Sequence, residues 1–304
     1  MKKLAKNLKN PLVSVVMPVY NAGPFLVEAI ESILGQTYKN FEFIIVDDGS
    51  TDNSWEIIKN YAKKDKRIRA FQIPKNSGVS NAANLGISKA EGWFIARMDA
   101  DDVSLPYRLE KQVEFLRKNL QVVAAGGQCL VIDKEGNIVG NKKFPTEPEK
   151  LKELIFWAIP IQQPTLMVNR SLLPKDFGWY SPTCTSGEEV DLLFRLMKYG
   201  QIVNLKDRLL FYRYRKDSLS HQNFKKTFWL TLKSRVGAIR LGFLPTPKAI
   251  LLNLAQIIGA LLLPNKLLST VWYFLRGIRE VGELRRIEET WQIKSFGKLG
   301  VLGN

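Results

Sequence analysis

The 304-residue chain is 45% hydrophobic, enough to bury a large core and to divide into two or three units. With 45 Lys and Arg against 29 Asp and Glu its net charge is +16, which implies an anionic partner: nucleotide phosphates, an acidic membrane surface or nucleic acid. A single histidine, His221, excludes a His-rich metal site; Cys129 and Cys184 match no zinc or redox spacing and read as buried thiols of a reducing compartment.

Residues 1–10 are basic with no apolar run behind them, so no secretory signal is expected. Residues 13–18 (VSVVMP) are continuous and β-branched, the pattern of a strand buried on both faces. A turn-rich segment, 18–24, leads into a predicted helix over 25–34. A second buried strand is expected over 41–46 (FEFIIV), ending in Asp47-Asp48-Gly49-Ser50-Thr51-Asp52. Asp52 or Ser54 can cap the helix predicted over 55–63. A third strand over 68–73, a helix from Asn76 to about residue 90 and a fourth strand over 93–98 complete the half. Strands alternating with helices at this spacing predict a mostly parallel, three-layer sheet, which binds ligands at the carboxyl ends of its strands.

The fourth strand runs into Arg97-Met98-Asp99-Ala100-Asp101-Asp102, three carboxylates within four residues. Strand alternation points Asp99 and Asp101 the same way, and such hard oxygen ligands suit Mg²⁺ or Mn²⁺ bound jointly with substrate phosphates. An acidic helix N-terminus would also favour Asp here. Neither Gly-x-x-x-x-Gly-Lys-Ser/Thr nor Gly-x-Gly-x-x-Gly follows the first strand, so aspartates and a metal, rather than a glycine-rich cradle, would have to hold a pyrophosphate.

Val15-Val16-Met17-Pro18-Val19-Tyr20-Asn21, Val46-Asp47-Asp48-Gly49-Ser50-Thr51-Asp52 and Ile95-Ala96-Arg97-Met98-Asp99-Ala100-Asp101-Asp102 stand in order, with Leu105-Pro106-Tyr107-Arg108-Leu109 behind them. Together these segments resemble the family 2 inverting glycosyltransferases of bacterial cell-surface polysaccharide synthesis, with the A-type nucleotide-sugar transferase fold, over residues 11–220. The resemblance implies an α/β fold, a mostly parallel Rossmann-like sheet flanked by helices; beyond it the residues themselves suggest a helical, basic C-terminal extension. It implies that Pro18, Tyr20, Asn21 and Asp48 line the base and ribose pocket, with Tyr20 stacking on the base and Asp48 accepting from its edge. Asn76, Gly78 and Ser80 sit where the family lines the nucleotide site. Asp99 would contact the ribose or a metal water, Asp101 would bind the Mn²⁺ or Mg²⁺ bridging the phosphates, and Asp102 would support them or cap a helix. An Arg that often precedes Asn84 in the family is replaced here by Ala83.

Beyond Pro106 a helix is expected to 118, a strand over 122–132, and a turn at 133–137 into Ile138 and Val139. Residues 163–170 resemble a family strand that often begins with His, where this chain has Gln163. In 187–196 the apolar spacing of Val190, Leu193, Phe194 and Met197 marks a helix with an acidic first turn. By resemblance Glu188 matches the Glu of a family Glu-Asp pair and Glu189 the Asp that acts as general base, with Asp191 and Arg195 matching the rest. Glu189 is the assigned base, with Glu188 and Asp191 as rivals. Residues 209–220 resemble the motif closing the domain; Arg215, where many relatives carry His, and Arg213 beside it are expected to neutralise the leaving diphosphate.

Residues 222–304 hold thirteen Lys and Arg and four Glu. Within them 249–263 is apolar except for Asn253 and Gln256, too short to span a bilayer, and 267–278 adds a second apolar, aromatic piece. This suits peripheral membrane contact through 240–280, or a helical cap on the catalytic domain. The chain is thus expected to hold a donor half (11–105), an acceptor half (106–220) and a membrane-associating extension (221–304). It would act in the cytoplasm at the inner face of the plasma membrane, moving a sugar from a nucleotide-sugar, UDP-linked by preference, to a saccharide or lipid-linked acceptor, with no nucleic-acid partner. A transferase-like subunit without turnover and a metal-dependent nucleotidyltransferase are the competing readings.

Overall fold

The computed structural model describes residues 10–182, 187–215 and 224–263. It opens with β1 (Val13–Val19), α1 (Gly23–Leu34), β2 (Phe41–Asp47), α2 (Ser54–Lys64), β3 (Ile68–Gln72), α3 (Val79–Ser88) and β4 (Phe94–Arg97). β1 and β2 are buried at every position, as a parallel sheet covered by helices on both faces requires. α1 carries Pro24 in its first turn, where a missing N–H costs nothing, and buries Leu26, Ala29, Ile30 and Ile33 against one face. α3 starts at Val79, later than expected, because Gly78 sits at φ +95° and the backbone N–H groups of Ser77 and Gly78 are drawn off to Asp48.

The second half contributes β5 (Val103–Ser104), α4 (Arg108–Lys118), β6 (Val122–Ile132), β7 (Ile138–Lys142), α5 (Pro148–Leu154), β8 (Met167–Asn169), α6 (Glu188–Leu196) and β9 (Gln201–Arg213). The strand expected over 163–170 is only three residues long, because Gln163–Thr165 turns as a 3₁₀ helix around Pro164. Among the described residues one nine-stranded sheet runs β3-β2-β1-β4-β8-β6-β9-β5, with β7 paired to β6. β1 to β4 pair in parallel; β8 lies antiparallel between β4 and β6, β9 runs parallel to β6, and β5 and β7 add antiparallel edges. Parallel pairing places the carboxyl ends of β1, β2 and β4 on one edge of the sheet.

Two helices follow, α7 (Phe224–Arg240) and α8 (Pro247–Leu262). α8 starts with the Thr246 side chain accepting from Ala249 N at 3.2 Å. Among the described residues no helix is long and apolar enough to cross a membrane. Cys129 is a buried free thiol whose pKa burial pushes up to about 12. Cys184, His221 and the apolar piece at 267–278 lie outside the described residues.

Candidate active site

Three loops are laced together at the carboxyl edge. Asn21, at φ +49°, accepts from Thr51 N through its side chain (2.8 Å), while its own N–H donates to Ser50 Oγ (3.0 Å). Asn tolerates this left-handed backbone better than most residues. Asp52 joins two helix N-termini, accepting from Gly23 N and from Ser54 N, both at 3.0 Å. Ser54, the alternative cap, accepts from Ala22 N instead (3.0 Å). Asp48 is buried and holds the third loop, accepting from Ser77 N (2.9 Å), Ser77 Oγ (2.7 Å) and Gly78 N (2.8 Å). A carboxylate has about four acceptor positions, so one remains. Gly49 lets the loops close: at φ +69°, its Cβ would stand 2.7 Å from Asn76 N. Pro18 and Ser80 are buried and Asn76 is exposed, whereas Tyr20 stands 46% exposed, an aromatic face presented to solvent at the end of β1.

The aspartate segment follows β4, with Met98 N bonded to Val16 O (3.0 Å). Asp99 pairs with the buried Arg97, Nη2 to Oδ1 at 2.9 Å. Asp101 lies 3.5 Å from Arg215 Nε; burial first, then the Asp99 charge, raise its pKa to about 6 against the pull of Arg215. Asp102 is buried and accepts from Arg213 N (2.8 Å), while its Oδ2 has no hydrogen-bond partner among the described residues. Its carboxyl is pushed well above the usual range by burial, then by Asp101 and Asp99. Carboxylates so poorly neutralised, with an acceptor oxygen unmatched, fit a cation. Among the described residues no three His, Cys, Asp or Glu side chains converge, so Asp99 and Asp101 would supply only part of a coordination sphere, the usual arrangement for Mg²⁺ shared with phosphates.

The two arginines of the closing motif separate. Arg213 spends its donors on the fold: Nε to Asp101 O (2.9 Å), Nη1 to Asp133 O (3.0 Å) and Lys134 O (3.3 Å), and Nη2 to Glu28. It therefore positions the aspartate segment rather than meeting a phosphate. Arg215 stacks on Phe25 (5.1 Å) beside Asp101 and stays partly exposed.

Glu188 and Glu189 open α6. Glu188 is buried, takes a bond from Gln163 Nε2 (3.3 Å), and is pushed up to about 7 by burial and then by Glu189. Glu189 is only partly buried. Asp191 is committed to Arg195, whose Nε and Nη2 approach it at 2.9 and 2.8 Å and which also bonds Gly178 O and Trp179 O. Motif matching alone overlooked the link between the two sides. Buried Tyr180 lies beside Arg97 and Gln163, and Arg97 acts electrostatically on Asp99, Tyr180 and Glu188 together. Asn84 pins this bridge in place, exchanging two bonds with the Tyr180 backbone (2.8 and 2.9 Å). The available signal was an Arg two residues before Asp99 in an otherwise apolar strand.

Residues 14–176 match the family model for glycosyl transferase family 2. The glycosyltransferase GlyG of Streptococcus pneumoniae is 32% identical over 224 residues, covering 70% of this chain and 74% of GlyG. The chain belongs to glycosyl transferase family 2. Alignments with the first curated relatives span between 56% and 74% of their lengths. The mannosyltransferase PcManGT of Pyrobaculum calidifontis, solved with GDP-Man and Mn²⁺, superimposes with a TM-score of 0.57 at 17% identity, over 95% of this chain and 93% of its own. S. aureus TarS 1–349 with UDP-GlcNAc gives 0.54 at 20% identity, over 73% and 66%. At such identities the likeness establishes the fold, the A-type glycosyltransferase fold read from the motifs.

Proposed function

We propose that this enzyme is a divalent-metal-dependent inverting glycosyltransferase, moving a sugar from a nucleoside diphosphate donor, UDP-linked by preference, to the hydroxyl of a lipid-linked saccharide in cell-surface polysaccharide synthesis. The observation that carries the reading is the single sheet edge on which the parallel β2 and β4 deliver Asp48, Asp99 and Asp101, with Arg97 paired to Asp99 and acting electrostatically on Glu188. Asp48 keeps the 76–78 loop open for the nucleotide and offers its last acceptor position to the base, with Tyr20 stacking on the ring; Pro18, Asn21, Asn76, Gly78 and Ser80 line the pocket. Asp99 and Asp101 would hold Mn²⁺ or Mg²⁺, and such an ion would supply positive charge to offset that of the departing diphosphate.

Glu189 is the base: it lies at the opening of α6 and is less buried than Glu188. It takes the acceptor's proton as the hydroxyl oxygen bonds the anomeric carbon and the bond to the diphosphate breaks. Attack opposite the leaving group inverts that centre, and Arg215 releases Asp101 to meet the diphosphate. Work at the inner face of the plasma membrane follows from a lipid-linked acceptor.

Calorimetric titration of UDP and GDP into wild type and Asp101→Asn, with and without Mn²⁺, tests the site. Metal-dependent binding that the variant loses supports it; equal binding by both proteins removes Asp101 from the metal site.

A further inference from the structure

α8 has two faces of different chemistry. Ala249, Asn253, Gln256 and Ala260 form its inner row, while Ile250, Leu251, Leu254, Ile258, Leu261 and Leu262 stand exposed, Leu251 at 68% and Leu262 at 76%. The inner row is fastened: Asn253 Nδ2 donates to Phe156 O (2.6 Å) and Gln256 Nε2 to Trp157 O (2.9 Å). Buried Arg235 on α7 donates to Ile155 O (3.1 Å), Asn253 Oδ1 (3.1 Å) and Gln256 Oε1 (3.3 Å). Rolling α8 to hide its leucines would strand these polar groups, at the cost of unsatisfied buried partners. The apolar row is therefore held outward by design of the polar one.

α7 presents Lys226, Trp229, Lys233, Val236 and Arg240 outward at helical spacing, and Lys248 begins α8. Residues 224–263 contain six Lys and Arg and no Asp or Glu. A cleft of ≈ 150 Å³ between the helices, lined by Phe156, Val236, Ile239, Ile250 and Leu254, opens among the same exposed residues.

We propose that this outer face of the α7–α8 hairpin docks on an anionic lipid bilayer, its leucines and isoleucines entering the acyl boundary while Lys226, Lys233, Arg240 and Lys248 reach the phosphates. Long cationic side chains reach headgroups in this way while their stems stay apolar. A second copy of the face would oppose like charges, and residues 264–304, with seven Lys and Arg against four Glu, are themselves net positive. The face also lies behind the base. A Cβ on Gly187 would come 2.6 Å from Thr231 Oγ1, so α7 packs directly on the start of the helix that carries Glu188 and Glu189. Docking rests on the reading above for its purpose, delivery of a lipid-linked acceptor to that helix, but can be measured without turnover.

The test is co-sedimentation of the full chain with phosphatidylcholine vesicles, with and without phosphatidylglycerol. The variants are Leu251→Ser/Leu254→Ser/Ile258→Ser and Lys226→Gln/Lys233→Gln/Arg240→Gln, each checked by circular dichroism and gel filtration. Wild type is expected to prefer anionic vesicles by at least about tenfold, and each variant to lose at least about tenfold of that binding. Hydrolysis of a soluble donor should stay unchanged in both. No binding by wild type, or undiminished binding by both variants, overturns the proposal, the latter placing the contact in 264–304. A wild-type dimer dissolved by the leucine variant also overturns it, making the face a contact between copies. If vesicles bind as expected but no donor is hydrolysed, the catalytic reading fails and the docking face stands.

Discussion

A carboxylate acts as a base only where it both ionises and reaches its proton, and Glu188 and Glu189 divide those conditions. Glu188 is buried beside Gln163 with its pKa raised to about 7; Glu189 is open enough to meet an acceptor. Glu189→Gln should therefore lower kcat by about 10²–10⁴-fold while donor affinity, measured by calorimetry, changes little. A parallel loss of affinity would shift Glu189 to donor binding. Glu188 has a separate signature. Its folded pKa lies above the unfolded carboxylate value of about 4.3, so the native state holds its proton longer. Stability from this group is present at low pH and declines as pH rises from about 4.3 to about 7. Thermal melts of Glu188→Gln should lack that decline; an identical slope would contradict the assignment. At this scale the motifs exposed the carboxylates but not their partners. Arg97 and Tyr180 are 83 residues apart in sequence, and nothing local in either announces that they are neighbours.

At the scale of elements, Arg213 shows how a strand end sets a site. Its side chain, only 2% exposed, ties β9 to the aspartate segment, the 133–134 turn and α1 at once. Arg213→Met leaves three backbone carbonyls without this donor and should cost about 3 kcal/mol, read as a lowered denaturant midpoint. A change under about 0.5 kcal/mol, the level of ordinary surface substitutions, would show that the clamp contributes little. The sequence pointed to a basic residue here but suggested phosphate contact, since type and position cannot reveal that its donors are already used. Buried strands were the most legible elements, because β1, β2 and β6 are buried along their whole length and mostly apolar. The resemblance implied a strand over 163–170, but a proline-centred 3₁₀ turn at Gln163–Thr165 takes its first positions and leaves β8 only three residues. The short α5 has no pattern long enough to stand out.

For the whole molecule, the alternating pattern gave the parallel half of the sheet and the edge where ligands gather. The insertion of β8 between β4 and β6 was not visible, since long-range antiparallel pairing leaves no local trace. Asn253 and Gln256, which interrupt the apolar run of α8, acquire their meaning only from the backbone carbonyls of Phe156 and Trp157. The architecture assembles a carboxylate-bearing sheet edge, the helix of Glu188 and Glu189 and an apolar, basic hairpin behind that helix. The proposed activity is metal-dependent transfer from a nucleoside diphosphate sugar. The most direct measurement is release of nucleoside diphosphate across a panel of nucleotide-sugars, first with Mn²⁺ and then with EDTA. Slow release from one donor, abolished by EDTA and restored by added Mn²⁺, is the predicted result; release from that donor unchanged by EDTA, or from none even with acceptor lipids, would contradict it.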